Sequence, residues 1–591
     1  MNDLQEKYTW DTSLLYLSPD SPGLQEDFSK ALEHIKDFRG TYLGKVSALD
    51  GENLKKALTE LEAIYNHNIK LHSYSYLIFA ADSTDAENQK LSQRGIELTN
   101  KAEQELFFFE LEINSIPEDK FLSLARSKHL QQYRHYLQGL RKFKPHMLSE
   151  QEERLLKQKS LTGIEAFTRL FEELTSSFSF LMEIEGKEKE VTGEELLGLL
   201  HHEDATVREK AFTIFLSRFR KESITFSTII NTVALDHHQE WQLRSYSFPM
   251  EPTHLANELS NESVASLMET TERNYPLAQA YFQLKARILG CPKLKNTDIY
   301  APIGKTDKQY SFTQAREMVL ASYSEFNPDF QEIIANFFSQ KRIDAFPRPG
   351  KSGGAFCMGI SPSLPPYVLM NFTGNLRDVA TLAHELGHGL HYVLAQNKSM
   401  LNYHPPLPLA ETASVFGEML LTRSLLKKET DPAVRIALLC AQIEDIIATT
   451  FRQNVLTRFE ERIHNCRAQG LLSAQEICDI WWEENAALYG NAVDMIEPYR
   501  WGWSYISHFI HSRFYCYSYT FAELLVLALF QKYLSTGDAF VPIFTGILES
   551  GGALSPAETV RSAGINLSDS NFWQEGYDLL GGMIEELERL L

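Results

Sequence analysis

Apolar residues recur at intervals of three and four from about residue 25 to 175, as in LKKALTELEAIYNHNIKLHSYSYLIFA at 54–80, and this period lays them along one stripe of a helix. A chain patterned this way folds by packing amphipathic helices against one another. Helical patterning resumes beyond residue 191 and runs to about residue 345, interrupted most by GCPKLKNTDIYAPIGKTD. After Asp378 it returns and holds to Leu591. The expected class is mainly α. At 591 residues the chain exceeds what one core usually supports, so two lobes are expected. The segment FSFLMEIEGKEKEV at 178–191 alternates apolar and polar residues about a Glu-Gly-Lys turn and predicts a short hairpin. Thr192 with Glu195 forms a capping-box pattern that starts the next helix. A boundary is therefore expected near residue 190, separating a helical lobe at 1–190 from a second domain at 191–591. Within the latter, PRPGKSGG leads into AFCMGISPSLPPYVLMNFTG, where β-branched and aromatic residues flank a Pro-rich turn and predict two strands.

The formal charge of −21 argues against nucleic-acid partners, because phosphate affinity needs clustered Lys and Arg, and no such cluster stands out. Cys291, Cys357, Cys440, Cys466, Cys478 and Cys516 show no CxxC pair or framework spacing, which fits reduced thiols in a cytoplasmic protein. The opening MNDLQEKYTWDTSLLYLSPD is polar where a signal peptide needs an apolar stretch. The run from Ala522 to Phe530 is far too short to span a bilayer, so no membrane role is expected.

The strongest chemical signal is His384-Glu385-Leu386-Gly387-His388, set in the apolar run DVATLAHELGHGLHYVLA. Four residues are just over one helical turn, so both imidazoles project from one face and can share a tetrahedral zinc ion. Glu385 lies roughly 100° around the helix and can reach a water at the metal without being a ligand, the place of a general base. Gly387 and Gly389 each cost about 1 kcal/mol relative to Ala inside a helix, so something is expected to approach the backbone closely there. His391 sits about 10.5 Å of rise from His384, too far to share the ion, and reads as a packing or supporting residue. A metzincin continuation is excluded, since Leu394 stands where a histidine would be required.

A catalytic zinc site usually has three protein ligands, so a third donor is needed. The loop NKSMLNYHPPLP stops the first helix, and the next segment, Leu409 to Glu418, offers Glu411 and, seven residues on, Glu418. One of the two could ligate the metal while the other supports a ligand histidine; the small residues around Glu411 favour it modestly.

At this point the chain resembles the oligoendopeptidase F family of thimet-oligopeptidase-like zinc peptidases. The resemblance rests on TLAHELGHGLH, the 411–418 segment, GGAFC, MNFTG, HFIHSRFYCYSYTFAELL at 508–525 and the opening Trp10 to Tyr16, and so covers essentially the whole chain. It implies that Glu411 completes a one-zinc site with His384 and His388, in a two-lobed helical body with a deep channel and a small sheet beside the metal. It also implies that His508 and tyrosines among Tyr515, Tyr517 and Tyr519 steady the oxyanion. If that segment is one helix, 508, 515 and 519 share a face, favouring Tyr515 and Tyr519. Arg513 stands where the family pattern has Pro.

The activity expected is hydrolysis of internal bonds in short peptides, with substrate backbone lying along a strand edge near 353–357, where Gly353, Gly354 and Ala355 permit close approach. An exopeptidase with the same motif, or a peptide-binding scaffold without activity, are the competing readings. No GxMEN-type signal marks the first, and a purely structural metal site has no use for Glu385.

Overall fold

Helix ends explain much of the chain's architecture. The computed structural model describes residues 8–184, 186–304 and 308–591. Residues 1–7 of the polar opening, Glu185 of the turn and 305–307 at the end of the Pro- and Gly-containing interruption lie outside them. The helix Gly51–Ala81 begins where Asp50 accepts from the Asn53 amide, and Ala86–Ser115 where Asp85 accepts from the amides of Glu87 and Asn88. The expected capping box is present, with Thr192 and Glu195 each accepting from the other's backbone amide. Along Gly51–Ala81 the buried positions include Leu54, Ala57, Leu58, Leu61, Ile64 and Leu71, the spacing that one helical stripe requires.

Among the described residues seven short strands accompany the helices: β1 (Phe180–Ile184), β2 (Lys187–Val191), β3 (Leu294–Lys295), β4 (Ile343–Asp344), β5 (Phe356–Met358), β6 (Tyr367–Leu369) and β7 (Val493–Asp494). β1 and β2 form the expected antiparallel hairpin, in register from Phe180–Val191 to Ile184–Lys187. β5 and β6 are the two strands expected around the Pro-rich turn, and β4 joins them in a sheet of order β4-β6-β5.

The chain divides into two compact units, each drawn from three stretches. The first takes the described parts of Met1–Lys144, Asp307–Lys428 and Lys532–Asn566, and the second those of Pro145–Thr306, Glu429–Gln531 and Leu567–Leu591. The division does not follow the break expected near residue 190, which falls inside the second unit. The hairpin that suggested that break is packed into a continuous core: Phe180 stacks on Phe215 at 5.7 Å and Phe178 meets Phe219 edge-on at 5.2 Å. A change of element type is a local event, whereas a boundary is set by which segments share a core.

In the first unit the N-terminal helices share one core with the small sheet: Tyr367 and Leu369 of β6, with Ile360 of the β5–β6 connection, lie among Leu58, Leu71, Phe109 and Tyr133. Trp10 of the opening segment meets Tyr367 edge-on at 6.3 Å. The second unit is built on helices including Ala205–Lys221, Ser223–Leu243, Phe451–Gln469 and Ala474–Tyr489, around the fully buried Trp481 and Tyr577. The stretch Tyr517–Glu549 has the length and composition of a membrane span, but residues 521–530 are all buried within the protein. All six cysteines are free.

Candidate active site

The first unit places the HExxH motif on the helix Leu376–Leu394. A reciprocal capping box of Asn375 and Asp378 starts that helix, and Asp378 also accepts from the amides of Thr373 and Gly374. One turn apart, the rings of His384 and His388 lie 4.8 Å apart between centroids. Glu411 sits at the junction between the turn Leu407–Ala410 and the helix Thr412–Lys428, and its Oε2 lies 3.4 Å from Nε2 of both His384 and His388. Ligand atoms from these three residues all lie within 4.8 Å of one another. The two glutamates that the sequence left as alternatives differ in what they touch: Glu418 Oε1 is 2.5 Å from the other ring nitrogen of His384, Nδ1. Glu418 therefore holds the ring that Glu411 faces, and leaves Nε2 free for a metal. Ser414, whose hydroxyl donates to Glu411 Oε2 at 2.7 Å, fixes that carboxylate; sequence reasoning missed it, because a serine one turn past a glutamate carries no signal of its own.

The glycines mark the close approach that brings these side chains together. A Cβ on Gly387 would lie 2.5 Å from the Ala413 carbonyl oxygen and 2.6 Å from Ser414 Cα, and one on Gly417 would strike the Tyr323 hydroxyl. Gly389 faces the Phe337 ring in the same way. Tyr323, fully buried, donates to the Ala383 carbonyl at 2.9 Å and so ties the HExxH helix to the helix Phe312–Phe326. Gly387→Ala gains about 1 kcal/mol of helix propensity but forces backbone against backbone, at about 1–3 kcal/mol. The contact should win, since backbone cannot rotate away. A lower denaturation midpoint together with weaker metal retention is expected from parallel melts and metal analysis, and an unchanged midpoint would contradict this packing.

The charges at the site follow from its burial. Glu385 is 6% exposed, and burial, reinforced by the Glu411 and Glu418 charges and opposed by His384, pushes its carboxyl up to about 7. Burial alone would lower His384, but the hydrogen bond and charge of Glu418, with the charges of Glu411 and Glu385, outweigh it and raise the imidazole to about 9. His388 is pushed down to about 4 by burial and the charge of His384, against the pull of Glu411. His391 is buried, held neutral, and its Nδ1 has no hydrogen-bond partner, in keeping with a packing residue. The donor set of two imidazoles and a carboxylate suits zinc.

Beside the HExxH helix, β5 is an edge strand of its sheet. Cys357 on β5 has its thiol pushed well up by burial and by the charge of Glu385. Gly353 and Gly354 lead into this strand with open space where side chains would be, and Gly354 adopts φ +75°, which favours glycine. Ala355 follows, immediately before the strand. The loop is anchored by the buried Lys351, whose ammonium meets Asp344 at 2.8 Å and the Phe346 and Met370 carbonyls at 2.9 and 2.5 Å.

The second unit gathers the remaining candidates. His508 and the tyrosines do not lie on one helix as the shared-face reading supposed. His508 is on the short helix His508–His511, Tyr519 is on Tyr517–Thr536, and a turn between them passes through Phe514 at φ +55°. The turn nonetheless brings three of the four together. The His508 Nε2 is 3.3 Å from the Tyr519 hydroxyl, the His508 and Tyr515 rings stack at 5.8 Å, and Tyr515 meets Tyr519 edge-on at 5.1 Å. Tyr517 is turned away and fully buried, its hydroxyl engaged by His254 and by the Asn257 amide at 2.8 Å.

A predominantly helical frame carrying an HExxH face closed by a glutamate just before the next long helix defines a metallopeptidase fold. The chain belongs to Peptidase family M3, whose model matches residues 198–579, and the model for Oligopeptidase F matches residues 112–180. It is similar to Group B oligopeptidase PepB of Streptococcus agalactiae, at 25% identity over 598 residues covering 100% of this chain and 98% of that protein. An Oligoendopeptidase F homolog of Lactococcus lactis is 27% identical over 613 residues, with 100% and 98% covered. Among solved structures, oligoendopeptidase-F from Enterococcus faecium shares the fold, with a TM-score of 0.73 at 23% identity over 96% of this chain and 98% of that one. The chain is thus a peptidase of this family.

Proposed function

We propose that this protein is a zinc-dependent endopeptidase that hydrolyses internal bonds of short, unstructured peptides in the cytoplasm. The observation that carries the reading is the convergence of His384, His388 and Glu411, with a buried carboxylate, Glu385, following His384 in sequence and lying outside the donor set. When bound, zinc supplies Lewis-acid chemistry, polarising a carbonyl and lowering the pKa of water. His384 and His388 offer Nε2 atoms and Glu411 an oxygen to hold the ion, while Glu418 fixes the His384 ring. Glu385, poised near neutrality, accepts the proton of the attacking water and returns it to the leaving amine as the C–N bond breaks. Substrate backbone lies along the edge of β5, near Gly353, Gly354 and Ala355, so that main-chain hydrogen bonds bind many sequences. His508 and the hydroxyls of Tyr515 and Tyr519 donate to the oxyanion. Peptide length and internal cleavage are supported by the names of the similar proteins, and a cytoplasmic location by the six free, dispersed thiols.

Zinc analysis of the purified protein, alongside digestion of a quenched peptide with a free and with an acetylated N-terminus, tests the reading. One zinc per chain and equal cleavage of both peptides are expected; a requirement for the free amine would favour an exopeptidase. Tyr519→Phe is expected to lower kcat about 10²-fold with KM little changed, as for other oxyanion donors. An effect confined to KM would assign Tyr519 to ground-state binding instead.

A further inference from the structure

The helix Phe451–Gln469 of the second unit carries an acid where its own stripe calls for an apolar residue. Glu460 is 2% exposed, with the buried Phe459 and Ile463 as neighbours on its helix. Among the described residues it forms no ion pair with Lys or Arg, and His464 Nε2, on a ring kept neutral by burial, stands 4.0 Å away, beyond hydrogen-bonding reach. Oε2 of Glu460 has no hydrogen-bond partner. Its other oxygen, Oε1, accepts from the backbone amide of Phe514 at 2.9 Å. A buried carboxyl with no paired cation is costly, and burial pushes this one up to about 8 against the Phe514 hydrogen bond and the more distant charge of Arg513, so the bond to Phe514 is what distinguishes it from an apolar residue of the same size.

That bond holds the turn on which the histidine and tyrosine cluster depends. Phe514 is a non-glycine residue at φ +55°, a backbone state that persists only where its surroundings impose it. Its ring is fully buried against His464 at 4.8 Å and His237 at 5.8 Å, and the preceding Arg513 carbonyl accepts from Thr253 at 3.1 Å. Tyr515 is the next residue, and its ring stacks on His508 and abuts Tyr519. We infer that Glu460 is a positioning residue for the oxyanion donors, fixing the Phe514 turn so that His508, Tyr515 and Tyr519 converge. The inference rests on the oxyanion role proposed above.

The experiment uses the full-length, zinc-loaded protein and compares Glu460→Gln, Glu460→Asp and Glu460→Leu, each alone and with Tyr519→Phe. Glutamine keeps an acceptor oxygen at the same reach. Aspartate keeps the acid but withdraws it by a methylene, and leucine removes the acceptor. The glutamine variant is expected to hold kcat within about twofold, while the aspartate and leucine variants lose about tenfold or more, with KM and zinc content unchanged, since displacement by about 1 Å costs on the order of a hundredfold. Combined with Tyr519→Phe, the aspartate and leucine changes should add little, because they act through the same cluster. Folded, zinc-containing aspartate or leucine variants with kcat within twofold of wild type, a glutamine variant as impaired as leucine, or full additivity with Tyr519→Phe would each overturn the inference. Aspartate decides the matter if leucine does not fold. If Tyr519→Phe itself retains full kcat, the oxyanion reading fails and this one falls with it, whereas an impaired Tyr519→Phe beside intact Glu460 variants rejects this inference alone.

Discussion

Glu385→Gln is expected to leave the zinc in place and abolish nearly all turnover. The amide keeps the shape of the side chain but accepts no proton at neutral pH, and general-base catalysis of this kind is worth about 10²–10⁴-fold. The native group is suited to the task because burial raises its carboxyl to about 7, where it holds a proton weakly enough to release it and strongly enough to take it. Glu385 is absent from the converging donor set of His384, His388 and Glu411, so metal content should not move. Steady-state kinetics on a quenched peptide, paired with zinc analysis, reads both quantities. Near-normal kcat in a zinc-loaded Glu385→Gln enzyme would remove the general-base assignment.

His388→Ala and Glu411→Ala should instead lose metal and activity together. Changing a residue that merely orients a ligand costs about 10–100-fold in metal affinity, so deleting one of the three proposed ligands costs more than that. Glu411 has a second part in the metal-free site, since its Oε2 lies 3.4 Å from both imidazoles and accepts from Ser414 at 2.7 Å. Its removal leaves the two half-buried Nε2 atoms without the carboxylate they share, while Glu418 still holds Nδ1 of His384. The check is zinc stoichiometry after dialysis against a weak chelator, followed by activity with and without added zinc. A Glu411→Ala protein that keeps one tightly held zinc would transfer the third-ligand role elsewhere, with Glu418 the nearest candidate.

Much of this arrangement was legible in the sequence wherever the governing interaction is short in range. The pairing of His384 with His388 follows from helical pitch, the hairpin at 180–191 from alternation, and the start of the helix after Thr192 from a three-residue capping box. Gly387 and Gly389 announced a close approach, although the sequence held no indication that the approaching groups would be the Ala413 and Ser414 backbone and the Phe337 ring. The choice between Glu411 and Glu418 leaned on one feature, the small residues around Glu411, and on family resemblance. Both carboxylates reach His384, and the contact of Glu418 with Nδ1 rather than Nε2 separates their parts.

Two features lay beyond any local rule. The break expected near residue 190 is absent because the segments that share a core there are distant in sequence, Phe180 with Phe215 and the N-terminal helices with Tyr367. The grouping of Tyr515 and Tyr519 with His508 came from a face of a helix that the chain does not form; a turn through a strained Phe514 achieves the same grouping, and sends Tyr517 into the core. What the sequence by itself determined are the helices and their ends, the two histidines on one face and the glutamate between them, since these depend on bonds and spacings within a few residues. Which carboxylate meets the imidazoles, which tyrosines stand beside His508 and which segments make up each unit were decided only in the tertiary structure, because those outcomes depend on the close packing of surfaces far apart along the chain.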